Sequence, residues 1–568
     1  MTGLANYSRN PWLECAYSEF KGLDLRTIFE LGDPHTLIEA VNVDVTTGRD
    51  LKTRDQIVKV GDLDLASVGL YVVGNDLHAV RPYGYAVSRN GPNGVVYDLI
   101  DDSGLNWSAG RKTLVAVSSA LSYDNRPYLI IEYSTASGEH GWEHHWLPVS
   151  PVTFTGSATF TNGSSSVSLT LPSTVKFTPP TGSATIEVSG LISGTSLYRA
   201  NTFALASHVL SFSLAAPFDG PTGTYTFGIV PPANTQVPLP FIPGKAAIVA
   251  ANKVWASQRY TPDVWFSSTL NGPLNWTEPD DAGFLPTSTH VAGQQEIQGL
   301  GMFQGQLVVM FSTSMQVWAI ATDPAENRLI DSVGGAGCVY PRSVVNVMGD
   351  LYYLNNGAFR SLTAIITTGQ KKEGDIGAAI AADTRLLGSD IQPVSVWSPF
   401  RQQFMCFTGS KGYVYTASPE SQVFAWTTYS LPIEVSEVVE LSSVLYLRRR
   451  KTVPQNVSEL WKFDASYSGE QGFSWRARFP FLDLECGHWL KEVKTFELHQ
   501  EGSCSIDIYH SPSDQSDYSA IGTVNGSTTE RGRVPMFVIC ETFSPVFYGN
   551  TPWKLGQVVY RYKKGGLL

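Results

Sequence analysis

The chain has 568 residues, 43% of them hydrophobic and 12% aromatic, so it can bury large cores and should hold more than one domain. Its formal net charge of −11 argues against a bulk attraction to nucleic acid or to an anionic membrane surface. Cys15, Cys338, Cys406, Cys486, Cys504 and Cys540 form no CxxC pair, which speaks against a disulfide framework or a zinc knuckle and leaves them as buried thiols. No segment has the roughly eighteen continuous apolar residues of a membrane span, and Met1–Tyr7 lacks the charged and apolar regions of a signal peptide. A chain made in a cytoplasm, without a membrane span, is the expectation.

Tyr, Trp, Phe, Val and Thr are abundant, Gly and Pro punctuate the sequence, and helix-period stretches are scarce; these features predict an all-β protein. Residues 1–149 read as N-terminal strands followed by the first blades of a β-propeller, with strand–turn–strand candidates at Gly69–Val80 and Arg126–Tyr133. Glu139–Trp146 is a cluster of residues with metal-ligand chemistry, among them His140, Glu143 and His144. On a helix they could meet on one side, but their surroundings predict a strand, where Glu143 points away from the two histidines, so no metal site is assigned.

Residues 150–236 change character. Among Asp, Glu, Lys and Arg they hold only Lys176, Glu187, Arg199 and Asp219, and Ser166–Leu171 alternates as a strand with one wet face does. The reading is a Ser/Thr-rich β-sandwich inserted into the propeller, left through Pro231-Pro232 and Pro238-Leu239-Pro240.

Residues 237–472 supply the remaining blades. Leu300–Phe311 and Ser343–Leu354 repeat one pattern of strand, polar turn and strand, and Asn355-Asn356-Gly357 adds a hairpin signal. Similar units at Asn252–Trp255, Arg401–Phe404 and Ser442–Leu445 recur at roughly 40 to 55 residues, the period of four-stranded propeller blades, and the expected total is about six or seven. One helix is expected near Asp375–Leu387. Residues 473–568 alternate again, at Ser505–Tyr509 and Pro535–Cys540, as a C-terminal β-sandwich or platform would.

Catalytic signatures are missing: there is no Walker loop, GxSxG, HExxH or EF-hand. Gly334-Gly335-Ala336-Gly337 precedes Pro341 and a strand, and reads as a tight turn between blades. Asp101-Asp102 and Asp280-Asp281 pair carboxylates, but adjacent loop residues rarely straddle a sugar, and solvated turns are expected. No catalytic or cofactor-binding residue is assigned, and no cofactor is expected. Arg448-Arg449-Arg450-Lys451, at the end of a predicted strand, reads as a basic loop and is retained as a possible channel or interface element.

Phe20–Asp24, Gly32-Asp33-Pro34 and Leu37–Asp55, followed by Trp255-Ala256-Ser257, Leu274-Asn275-Trp276, Gln306–Phe311, Gly337–Val345 and Gly349–Leu354, resemble in their order the tail nozzle proteins of bacteriophages. These are also called tail tubular protein B or packaged-DNA stabilisation hub proteins. The resemblance touches most of the chain outside 150–236. It implies a non-enzymatic virion protein of a short-tailed phage: a homo-hexamer below the portal and its adaptor, in contact with tail fibres or spikes, whose lumen passes genome DNA without reading its sequence. The acidic balance fits a wall that does not pin a polyanion. Two other readings stand beside it: a receptor-binding or glycan-degrading tail protein, and a monomeric propeller scaffold.

Overall fold

The computed structural model describes residues 12–26, 32–63, 69–73, 76–81, 84–88, 95–97, 112–124, 126–135, 137–146, 154–172, 184–189, 197–230, 237–270, 272–277, 281–291, 293, 295–364, 371–387, 392–449, 458–485, 487, 489–514, 516–526 and 534–567. Asp101, Asp102, Asp280, Arg450, Lys451 and Cys486 lie outside them.

Left-handed two-residue turns set the blades. Gln304 (φ 47°) and Gly305 (φ 77°) join Gly299–Phe303 to Gln306–Met310, and Met348 (φ 51°) and Gly349 (φ 85°) join Val345–Val347 to Asp350–Asn355. Ala251 and Asn252, Asn356 and Gly357, and Ser442 and Ser443 have the same sign of φ at equivalent hairpins. Positive φ at both central residues matches the right-handed twist of the flanking strands, so each turn fixes a register as well as a reversal.

Among the described residues the strands assemble into seven successive antiparallel sheets, within the expected count of six or seven. The first five comprise Gly69–Tyr97 (four strands), Lys112–Trp146 (three), Pro243–Leu285, Gly299–Gly334 and Val345–Asp375 (four each). The sixth is Val394–Ser398, Gln403–Ser418 and the first half of Val423–Leu441. Gln403–Ser418 supplies two arms, because it reverses at Gly409 (φ 69°) and Ala417 N then donates to Gln402 O at 2.8 Å. The seventh joins the second half of Val423–Leu441 to Val444–Arg449, Ser458–Asp464 and Gln56–Leu63. Its outer strand thus comes from the N-terminal side of the chain, which closes the ring.

Every junction between neighbouring sheets is apolar. Gly69 lies so close to the Val117 side chain that a Cβ there would stand 2.4 Å from it. Tyr128, Ile130, Val254 and Trp276 share one core, Trp255, Phe266, Leu307 and Val309 the next, and Val308, Met315, Leu351 and Tyr353 another. Tyr352 and Phe359 meet Phe404 and Tyr413, Met405 and Val414 meet Leu445 and Leu447, and Leu70 and Leu77 meet Leu460. Blades that cover one another's apolar faces are the logic of a propeller.

Residues 154–230 make a separate six-stranded antiparallel sheet around its own aromatic core, with Phe160, Phe212, Phe218 and Phe227 at its centre. Immediately outside it, Val237 N donates to His144 O at 2.8 Å, so the chain leaves and re-enters the propeller at adjacent points.

The N-terminal strands join the C-terminal region. Leu13–Ser18 and Leu51–Thr53 pair with Trp553–Leu567, and Glu39–Val41 pairs with Trp475–Arg478. Trp475 and Trp553 stack with ring centroids 4.3 Å apart inside this platform. The platform core also contains Tyr352, Phe359, Phe404 and Trp426 from the fifth and sixth blades, so platform and propeller share one interior.

The expected helix is short: a 3-10 turn at Ala378–Ile380 and an α-helix of four residues, Ala381–Thr384. Gly377 packs against Phe359, and Leu25 N donates to Ala379 O at 2.7 Å, so packing against the N-terminal segment fixes this connection in place of helical periodicity. No helix of the described residues is long and apolar enough to cross a membrane.

Candidate functional site

Inner strands of a propeller bring side chains from distant sequence to the middle of the ring. Here Ser118, Glu132 and Trp142 of the second blade and Lys245 of the third face Tyr340 and Arg342, which lead into the fifth, across a cavity of about 350 Å³. Arg342 sits in the 3-10 turn Pro341–Ser343, pinned where Ser343 Oγ donates to Tyr340 O at 2.6 Å.

Arg342 Nη2 donates to Glu437 Oε1 at 2.9 Å and to Ser436 O at 3.2 Å. The other oxygen of Glu437 accepts from Arg448 Nε, its direct cross-strand partner. Burial, reinforced by repulsion from Arg342, pulls the Arg448 guanidinium down to about 9; burial brings Arg342 to about 10, against the pull of Glu132. Both cations remain charged at neutral pH, and one buried carboxylate serves two guanidinium groups. Lys245 Nζ donates to Gln298 Oε1 at 2.6 Å, and burial lowers its pKa despite the nearby Glu296 and Glu132. Glu132 Oε1 lies 3.0 Å from His140 Nδ1, and Trp142 Nε1 donates to Ser118 Oγ at 3.1 Å. The result is a pocket with more donors than acceptors.

For Arg448 and Arg449 this geometry corrects the reading of the basic run as a loop. Arg448 and Arg449 belong to the strand Val444–Arg449; Arg448 is 6% exposed, and Arg449 Nη1 donates to Glu459 Oε2 at 3.0 Å. Glu459 also accepts from Lys59 Nζ at 2.9 Å, which ties the ring-closing strand Gln56–Leu63 to its neighbour. Burial pushes the Glu459 carboxyl up, but hydrogen bonds from Lys59, Arg449 and Trp461 hold it below its ordinary value. A signal for the buried pair was present in the sequence. Simple alternation from Leu431, Ile433 and Val435 puts Glu437 in phase with an apolar face, where a carboxylate requires a cation; a bulge between Val435 and Glu437 then turns it to the opposite face, that of its cross-strand partner Arg448.

His140–Trp146 is a strand, as its surroundings suggest. His144 is buried, with Tyr128 Oη 2.6 Å from its Nδ1, and burial holds its pKa down at about 3. His145 Nε2 lies 3.5 Å from Glu143 Oε2. Among the described residues no group of three or more His, Cys, Asp or Glu side chains is placed to hold a metal ion.

Asp281, expected in a solvated turn, is a local fastener. It bonds the wholly buried Lys253 at 2.9 Å and accepts from Ser268 Oγ at 2.7 Å and Thr269 Oγ1 at 2.9 Å. Burial pushes its carboxyl up, but these bonds hold it well below the usual range. In the glycine run, Gly335 has φ 77°, and a Cβ on Gly337 would stand 2.4 Å from Ser312 O, so the run serves a turn and a close backbone approach. Cys338, Cys406, Cys504 and Cys540 are buried thiols, and Cys15 is partly buried.

No family model matches the chain, and no curated protein matches it. Among solved structures it is similar to the Pan2 WD40 domain of Neurospora crassa, with 7% identity over 73% of this chain and 96% of that one at a TM-score of 0.34. It is also similar to a protein assigned as a 6-phosphogluconolactonase from Bacteroides uniformis, with 11% identity over 65% and 96% at a TM-score of 0.29. A third is the extracellular domain of a protein assigned as a one-component system from B. thetaiotaomicron, with 10% identity over 94% and 81% at 0.28. The ring itself, read from strand order and shared cores, establishes the β-propeller.

Proposed function

We propose that this chain is a structural, non-enzymatic virion protein of a short-tailed bacteriophage, the subunit of a hexameric tail nozzle that channels and retains genome DNA. The ordered sequence resemblance suggests the family, and the single observation that supports a load-bearing role is the lacing of propeller to platform. Residues near the N-terminus both close the seventh blade, through Gln56–Leu63, and enter the platform sheet, through Leu13–Ser18, Glu39–Val41 and Leu51–Thr53. Force applied to a blade is then carried by sheet hydrogen bonds and one common core rather than by a flexible linker. A conduit wall under DNA pressure needs that continuity. In this reading the adaptor contacts the ring above, fibres or spikes contact it from outside, and DNA passes without base readout.

The test is a phage that lacks the protein. Its particles should build heads and package DNA but fail to keep it. Full, stable heads that only fail to adsorb would reject the plug role and favour receptor binding.

A further inference from the structure

We propose that the cavity between the second, third and fifth blades is a binding site for a small organic carboxylate. Two side chains have unspent donors: Arg342 uses only Nη2, on Ser436 O and Glu437, and among the described residues its Nε and Nη1 make no hydrogen bond. Lys245 spends one of its three protons, on Gln298. A guanidinium edge and an ammonium group that line one cavity suit a carboxylate, which accepts parallel bonds from the planar fork.

The lining carries two cations, Lys245 and Arg342, and one carboxylate, Glu132, which is engaged by His140 at 3.0 Å. Arg342 is also paired with Glu437 at 2.9 Å and Glu296 lies near Lys245, so a second negative charge on the ligand would meet carboxylates rather than cations. Size and surface set the rest. A volume of about 350 Å³ exceeds what a bare inorganic ion fills, and Val117, Trp142 and Pro341 offer an apolar wall for an organic body. Burial already disfavours the charged form of Lys245, so an anion beside it recovers part of that cost.

The experiment is a calorimetric titration of the full chain with benzoate, glucuronate and inorganic phosphate. Benzoate carries its carboxylate on an apolar ring and glucuronate on a polyol, so the two arms distinguish the kind of body the wall accepts. One of them should bind saturably with one-to-one stoichiometry, at least about tenfold tighter than phosphate. Arg342→Gln and Lys245→Gln should each weaken it about tenfold or more. Glu132→Gln should strengthen it a few-fold, because it removes a repelling charge, and a folding defect would not produce a gain. Lys245 makes no ion pair, so its variant carries the loss test if Arg342→Gln fails to fold. Absence of saturable carboxylate binding, tighter binding of phosphate, wild-type affinity in Lys245→Gln, or weaker binding in Glu132→Gln would each overturn the assignment.

Discussion

Arg54 and Glu470, 416 residues apart in sequence, form a two-pronged ion pair of 2.5 and 2.9 Å with side chains 0% and 2% exposed. Arg54 also donates to Asn42 Oδ1 at 2.8 Å and Ser430 O at 3.2 Å, and lies over the rings of Tyr429 and Phe473. Glu470 Oε2 accepts from Ile57 N at 2.7 Å, the second residue of the ring-closing strand. One guanidinium therefore joins the N-terminal strands, the propeller and the segment entering the platform. Buried charges are tolerated when every donor and acceptor is met, and removing one partner strands the other.

Arg54→Ala should therefore cost about 3–5 kcal/mol in chemical denaturation, while Arg54→Met combined with Glu470→Met should cost clearly less than Arg54→Ala alone. A loss under about 1 kcal/mol for Arg54→Ala, in the range of exposed ion pairs, would show that this junction does not hold the two regions together.

His144 makes stability depend on pH in a defined direction. Its folded pKa of about 3 lies below the ordinary 6.5, so the unfolded chain takes up a proton that the folded chain refuses. Its contribution is complete above about pH 6.5 and falls away as pH drops toward about 3. Between about pH 7.5 and about pH 5 the wild type should lose about 2 kcal/mol more than His144→Asn, read by urea denaturation. Parallel losses in the two proteins would mean that His144 is not a neutral buried imidazole.

The sequence made the local parts of this fold legible and the distant parts not. Gln304-Gly305 and Asn356-Gly357 declare their hairpins because φ > 0 selects for Gly and Asn, and the low charge of 150–236 marks a self-contained sheet. The destination of Leu13–Ser18 could not be read, since its partner Trp553–Leu567 lies at the other end of the chain and the pairing leaves no local pattern. Arg448 looked like a solvated loop residue because basic runs usually are, and its partner Glu437 was visible only as a carboxylate in the wrong phase of an apolar strand. The cavity was beyond reach for the same reason: Glu132, Lys245 and Arg342 meet only once the ring is closed.

Deletion of residues 150–236, with a short Gly-Ser bridge, should leave a soluble protein that still unfolds cooperatively. The module has its own core, and the bond from Val237 N to His144 O brings the cut ends together. Aggregation, or loss of a single cooperative transition in circular dichroism, would show that the propeller depends on the insertion.

The central claim, that this propeller is the wall of a channel, is tested most directly by imaging the purified protein in single particles. The account predicts a six-fold ring around an open central hole, with a propeller repeated in each subunit. A population of isolated discs, or of three-fold spikes without a lumen, would contradict it.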